Sequence, residues 1–165
     1  MRILLRQARV FDVLSKHNGT RKDILIDKGV IEKIAKRISD PKAKVISSDD
    51  LCVSNGWVDL GTYSGDPGYE YREDLDSLTS AAARGGYTGI VTLPNTKPTI
   101  HSKSEVSYIL NKTKDELVKC YPLGAVSMDC GGADLAEMYD MADSGAVAFS
   151  DGRQAIQNGG LMLRG

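Results

Sequence analysis

The stretch Ala81-Ala82-Ala83-Arg84-Gly85-Gly86-Tyr87-Thr88-Gly89-Ile90-Val91-Thr92-Leu93-Pro94-Asn95-Thr96-Lys97-Pro98 decides the fold. Its alanines close a helix predicted over 72–84, with Leu75, Leu78 and Ala82 on one face, and Gly85-Gly86 stops that helix. Gly89–Leu93 then reads as a buried strand ended by Pro94, and two prolines bracket the polar triplet that follows. Helix, glycine stop, apolar strand and polar loop make one repeat of a βα pattern.

The same pattern extends to both sides. Trp57–Leu60 is a short apolar run ahead of the first helix. Ser102-Lys103-Ser104-Glu105 has capping-box form, with Val106, Ile109 and Leu110 as the apolar stripe behind it. Cys120–Val126 reads as a strand, 134–143 as a helix with Leu135, Met138 and Ala142 facing inward, and Ala146–Phe149 as a further strand. Asn158–Arg164 opens a fourth helix. Strands and helices alternating every ~25 to 35 residues imply βα units around a parallel sheet.

A complete (β/α)8 barrel needs about 200 to 250 residues, and this chain has 165. The expected fold is therefore α/β, the first half of a (β/α)8 TIM-type barrel over residues 56–165, with a small autonomous four-stranded sheet as the other option. The last residues, Leu161-Met162-Leu163-Arg164-Gly165, stop inside an amphipathic helix, so a truncated barrel is expected. Residues 1–55 differ in grammar. Arg2–Leu5, Asp23–Asp27, Val30–Ile34, Lys44–Ser47 and Leu51–Val53 read as short strands, with Lys28-Gly29 as a hairpin turn, and together they form a β-rich sheet or sandwich segment.

Composition narrows the function. Lys and Arg total 21 against 22 Asp and Glu, so no basic nucleic-acid footprint is present. No apolar run reaches the ~18 residues of a membrane span, and charge arrives too early for a signal peptide, so a cytoplasmic protein is expected. Cys52, Cys120 and Cys130 lack C-x-x-C spacing and read as reduced thiols. With only His17 and His101, a cluster of imidazoles cannot be assembled within the chain.

Ligands in parallel α/β folds collect at the carboxyl ends of strands. The polar candidates there are Asp66, Asp129, Asp151, Asn95, Thr96 and Arg153. A lone aspartate at a strand end is more often a helix cap or turn residue than a catalyst. Asn95, on the stiff Pro94–Pro98 loop, can donate and accept toward a cyclic imide or a carboxylate, or the loop is a rigid structural turn. Gly131-Gly132 and Gly159-Gly160 match no phosphate-cradling pattern.

Asn55-Gly56-Trp57-Val58-Asp59-Leu60-Gly61-Thr62-Tyr63-Ser64-Gly65-Asp66-Pro67-Gly68-Tyr69-Glu70 resembles the first barrel strand of dihydroorotases, the cyclic amidohydrolases of pyrimidine biosynthesis. Ala81–Thr88, Leu93–Pro98, Gly124–Val126 and Gly145–Asp151 continue the likeness, which spans essentially the whole chain and extends to the hydantoinase and allantoinase branch. The resemblance implies that residues 1–55 pair with later residues in a sandwich domain. It implies zinc as the family cofactor and Asn95 as a substrate-binding residue. It also implies aspartate transcarbamoylase or self-association as partners.

The departures are as informative. The family's H-x-H zinc ligands fall on Gly61 and Tyr63, and its substrate-binding arginine falls on Gly65. Its D-D-G motif aligns Asp151 with the first aspartate and Gly152 with the metal-bridging second; a one-residue deletion would instead put Asp151 in the ligand position. Zinc in such sites lowers the pKa of bound water from about 15.7 to about 7, and Gly61 offers no ligand atom. The expectation is no zinc at the first-strand site, with Tyr63 filling part of the metal cavity and Asp66 or Asp151 as its hydrogen-bond partner. Three readings follow: an impaired homologue acting structurally or in regulation, an active cyclic amidohydrolase with an atypical site completed beyond residue 165, or an unrelated small α/β binding domain.

Overall fold

The computed structural model describes Met1–Gly165 in two compact units, Met1–Asn55 and Gly56–Gly165. The first is a single five-stranded sheet. β1 (Arg2–Phe11) is its centre, and the hairpin β2 (Arg21–Asp27) and β3 (Val30–Ala35) adds antiparallel to one side. Lys28 and Gly29 turn the hairpin with φ of 49° and 80°, the pair of left-handed residues that a tight two-residue hairpin needs. β4 (Lys44–Ser47) and β5 (Cys52–Ser54) run parallel to successive halves of β1. Ala8, Val10 and Ile24 are its buried centre, flanked by Leu5, Ile26, Ile34, Leu51 and Val53. The unit supplies one layer; its own residues form no second sheet.

The second unit is built of consecutive βα repeats. β6 (Trp57–Thr62), α1 (Leu75–Arg84), β7 (Tyr87–Thr92), α2 (Lys103–Lys112), β8 (Lys119–Gly124), α3 (Met138–Asp143), β9 (Ala148–Phe149) and α4 (Gly159–Met162) follow in order. The strands pair 6-7-8-9, all parallel, which is the order of half an eight-stranded barrel. Leu75 and Leu78 of α1, Val106 and Ile109 of α2 and Met141 of α3 close over Ile90 and Cys120. Each such buried aliphatic side chain contributes about 1.5–3 kcal/mol.

Helix starts follow their caps. Asp74 accepts from Ser77 N at 2.8 Å, so α1 begins at Leu75 and residues 72–74 belong to the loop. The capping box at Ser102 and Glu105 is formed. α3 begins at Met138, four residues later than the periodicity predicts. Residues 134–136 pair with the 126–128 segment instead: Met128 N donates to Asp134 O and Ala136 N to Val126 O, with Leu135 in an antiparallel bridge to Ser127. A backbone committed to that bridge is not free to wind a first turn.

Candidate functional site

A cleft of about 450 Å³ lies within the second unit, lined by Tyr63, Tyr69, Arg72, Asn95, Arg153 and Gln154. Tyr63, Asn95 and Arg153 follow β6, β7 and β9, so the loops at the carboxyl ends of three strands build it. A larger groove of about 560 Å³ sits in the first unit, beside Arg6, Gln7, Asp23 and Arg37. Its one carboxylate, Asp23, already accepts from Gln7 N, Gln7 Nε2 and Ile38 N. Burial opposes the charged form of Asp23, but those donors outweigh it and hold the group below the usual carboxylate range.

Asp151 is buried, and its carboxylate is largely committed. Oδ1 accepts from Val126 N and Ser127 N, both at 2.9 Å, and Oδ2 accepts a short hydrogen bond from the Ser127 hydroxyl. Three of about four acceptor directions are taken. Asn95 clips the neighbouring loop: Nδ2 donates to Asp151 O at 3.1 Å, and Oδ1 accepts from Arg153 N at 3.1 Å. One donor hydrogen and one lone pair of the Asn95 amide remain for a ligand.

Asp66, fully buried, does not face Tyr63. Its Oδ1 accepts from Tyr108 Oη at 2.8 Å and its Oδ2 from Lys112 Nζ at 2.5 Å. The hydrogen bond to Asp66 raises the pKa of Lys112 above its ordinary value, against a smaller opposing effect of burial. The expectation that Asp66 or Asp151 partners Tyr63 is thereby corrected. Both carboxylates are engaged elsewhere, and the contact over the Tyr63 ring is Arg153, whose guanidinium carbon lies 5.8 Å from the ring centre. Arg72 sits 5.1 Å from the Tyr69 ring and 5.3 Å from the Tyr71 ring. The phenols of Tyr71 and Tyr63 beside it raise its pKa further.

Three glycines shape the cleft. Gly61 has φ of 133°, a conformation that side chains rarely adopt, and it sits at an irregularity in the pairing of β6 with β7. Gly152 has φ of 59°, and a Cβ there would lie 2.1 Å from Asn95 Oδ1. A Cβ at Gly65 would lie 2.5 Å from Tyr69 O and 2.6 Å from Glu73 O. The 69–73 segment is folded tightly onto Gly65, and it carries Arg72.

The donor set can be tested against a pair of zinc ions. Positions 61 and 152 offer no side-chain atom, Tyr63 offers a phenol beneath a guanidinium, and Asp151 retains one free acceptor direction. No three His, Cys, Asp or Glu side chains are grouped to hold a metal ion. These residues do not fit a dinuclear zinc centre. His101 lies outside the cleft, with Nδ1 accepting from Asp129 N at 3.2 Å. Burial pushes the Cys120 and Cys130 thiols up to about 11, so neither provides a thiolate near neutral pH.

Among the sequence candidates, the structure brings Asn95, Arg153 and Tyr63 together and places Asp151 directly behind them; Asp66, Asp129 and Thr96 do not line the cleft. Arg72, Tyr69 and Gln154 were missed. Arg72 reads as the start of a helix until the Asp74 cap is recognised, and the Tyr69-Glu70-Tyr71-Arg72 run was the available signal.

Four parallel βα units with a polar cleft at their carboxyl ends define an α/β protein of the barrel class. The sequence profile of the dihydro-orotase-like family matches residues 51–165, and the chain belongs to that family. The dihydroorotase of Geotalea daltonii is 39% identical over 166 residues, covering 99% of this chain and 39% of that protein. That of Acetivibrio thermocellus is 38% identical over 163 residues, covering 98% and 38%. The chain thus spans about two fifths of the length of these curated relatives. Among solved structures, L-hydantoinase (dihydropyrimidinase) from Arthrobacter aurescens superposes with a TM-score of 0.64 at 26% identity, over 89% of this chain and 32% of its own. A dihydroorotase superposes with a TM-score of 0.60 at 14% identity, over 90% and 41%, and shares the fold. No helix is long and apolar enough to cross a membrane.

Proposed function

We propose that this is a dihydroorotase-family protein of pyrimidine biosynthesis in which the family reaction, reversible zinc-dependent hydrolysis of the cyclic amide of dihydroorotate, is impaired. It serves instead as a structural or regulatory homologue. The observation that carries the reading is the backbone at Gly61 and Gly152, two of the positions onto which the resemblance maps family ligands when Asp151 is aligned without a gap. Gly61 and Gly152 both occupy positive-φ conformations suited to glycine, and Asn95 packs where a side chain at 152 would begin. On this reading the positive φ at both positions, and the contact with Asn95 at 152, disfavour ligand side chains there. Opening a cyclic amide near neutral pH needs a strong nucleophile and a polarised carbonyl, and no side chain of the cleft supplies a nucleophile in their place.

The partners proposed are aspartate transcarbamoylase or further copies of the chain. In support, the edge strand β6 exposes Trp57, Val58 and Leu60, an apolar row that favours being covered. The second reading is an active dihydroorotase, hydantoinase or allantoinase with an atypical site completed by residues beyond 165. The free acceptor direction on Asp151 Oδ2 favours it. Dihydroorotate turnover by the full native protein, with and without a chelator, separates the two. The impaired reading expects no chelator-sensitive turnover, and a rate that the chelator abolishes would establish the second.

A further inference from the structure

The first unit holds five arginines, and its fold partners three of them. Arg2 meets Asp27, Glu32 and Asp40 at 2.8–3.0 Å. Arg9 lies over the Phe11 ring, and Arg21 donates to Gln7 O and Asp49 O. The remaining two, Arg6 and Arg37, form neither an ion pair nor a contact with an aromatic ring, and both line the groove of about 560 Å³ beside Asp23. The near-neutral balance of the whole chain conceals how basic this unit is. Residues 1–55 carry 12 Lys and Arg against 7 Asp and Glu, whereas residues 56–165 carry 9 against 15. Three of those seven carboxylates gather on Arg2, and none reaches Arg6 or Arg37.

One buried carboxylate organises the groove. Asp23, only 2% exposed, accepts from Gln7 N and Gln7 Nε2 on Oδ1 and from Ile38 N on Oδ2, each at 2.9 Å. Gln7 Nε2 also donates to Lys36 O at 2.9 Å, which ties β1 to the segment after β3. Gln7 takes a φ of 51° at a bulge in the pairing of β1 with β2. A non-glycine residue keeps that conformation only when its surroundings fix it, and a bulge of this kind re-aims the side chains beside it. Arg6 immediately precedes the bulge, and Arg37 stands between Lys36 and Ile38, so the backbone that carries each guanidinium is pinned. Three N–H donors already compensate Asp23, which leaves both guanidinium groups for a ligand. Ser39 adds an exposed hydroxyl to the lining. The volume falls within the roughly 300–1,000 Å³ of small-molecule sites. A lone carboxylate is filled by one guanidinium fork. A phosphoryl group, with three oxygens and a charge of about −1.5 to −2, accepts two forks and a hydroxyl.

We propose that the Arg6–Arg37 groove of the first unit binds the phosphoryl group of a small phosphorylated molecule, with both guanidinium groups and the Ser39 hydroxyl donating to its oxygens. Asp23 and Gln7 are positioning residues: they hold the two arginine-bearing segments and do not touch the ligand themselves. The site lies wholly in the β-rich unit, and it stands or falls independently of zinc content and of turnover in the barrel unit.

The test is calorimetric titration of the full native protein with inorganic phosphate at low ionic strength, and with acetate as the carboxylate comparator. Saturable phosphate binding is expected, weakening as salt is raised. Arg6→Gln and Arg37→Gln should each weaken it by about tenfold, since each removes a charge-assisted contact. Arg37→Lys should recover part of the loss. Arg9→Gln, on the same unit but outside the groove, should bind as the parent does. Acetate should bind at least about tenfold more weakly than phosphate, because one fork suffices for it. Arg6 and Arg37 are exposed and unpaired, so their variants should fold with the parental melting temperature. Absence of saturable phosphate binding up to about 20 mM overturns the proposal, because charge-assisted contacts of this kind cannot then be forming. Parental affinity in both glutamine variants overturns it as well, since phosphate then binds elsewhere. Acetate binding as tight as phosphate binding overturns the assignment of a phosphoryl ligand.

Discussion

The loops after β6 and β9 each bury an aspartate at the carboxyl end of a strand, and they hold it by different means. Asp66 is held chiefly by side chains 42 and 46 residues away, Tyr108 and Lys112 on α2. Asp151 is held by the backbone and hydroxyl of residues just past β8. One carboxylate depends on a partner that can lose its charge, and the other on amide donors that cannot. Both are polar candidates at strand ends in the sequence, and in the structure both brace loops, while the exposed arginines Arg72 and Arg153 stack on tyrosine rings and meet no carboxylate.

The largest effect should come from Asp151→Ala. It strands two backbone N–H groups and the Ser127 hydroxyl in a buried site, where each unsatisfied group costs about 1–3 kcal/mol. A loss of about 4 kcal/mol in denaturant unfolding is expected. A loss below about 1 kcal/mol would mean that Asp151 is free for another role, and the contrast with Asp66 would fail.

Gly152→Asp comes next. It places a side chain against Asn95 and keeps a positive φ, at a cost of about 2 kcal/mol, and it should bring no zinc with it. Neutral stability together with metal uptake would show that the ligand position is still usable.

Lys112→Met sharpens the comparison through pH. It leaves Asp66 buried without its cation, and with the lysine about one third exposed a loss of about 2 kcal/mol is expected. The folded-state pKa of Lys112 lies above its unfolded value of about 10.4. The contribution is therefore fully present below that unfolded value and is lost as pH rises through the folded one. The stability gap between parent and variant should stay level from about pH 6 to 9 and narrow above about pH 10.4. A gap that already shrinks at neutral pH would contradict the ion pair.

Arg153→Gln should have the smallest effect on stability, within about 0.5 kcal/mol, because the side chain is exposed and forms no ion pair, only the contact over the Tyr63 ring. Thermal unfolding that drops by several degrees would assign Arg153 a bracing role as well.

The sequence carried the local half of this account. The repeat of apolar strand and amphipathic helix, the Ser102–Glu105 capping box and the Lys28-Gly29 turn all depend on residues within a few positions of one another, and all three formed. The late start of α3 was illegible because it depends on a bridge to Ser127, and helical spacing of Leu135, Met138 and Ala142 could not announce it. The partners of Asp66 and Tyr63 were illegible for the same reason. Lys112 and Arg153 reach them across 46 and 90 residues, and no local pattern encodes such a meeting. The cleft was half legible: Asn95 and Arg153 stand at strand ends, whereas Arg72 needed the loop folded on Gly65 to bring it in.

The central proposal is that the positive-φ backbone at Gly61 and Gly152 disfavours the ligands of a zinc centre. Elemental analysis of zinc per chain, on the full native protein purified without chelator, tests it most directly. The account predicts well below one zinc per chain, unchanged when zinc is supplied in excess and then dialysed away. One to two tightly held zinc ions per chain would contradict it.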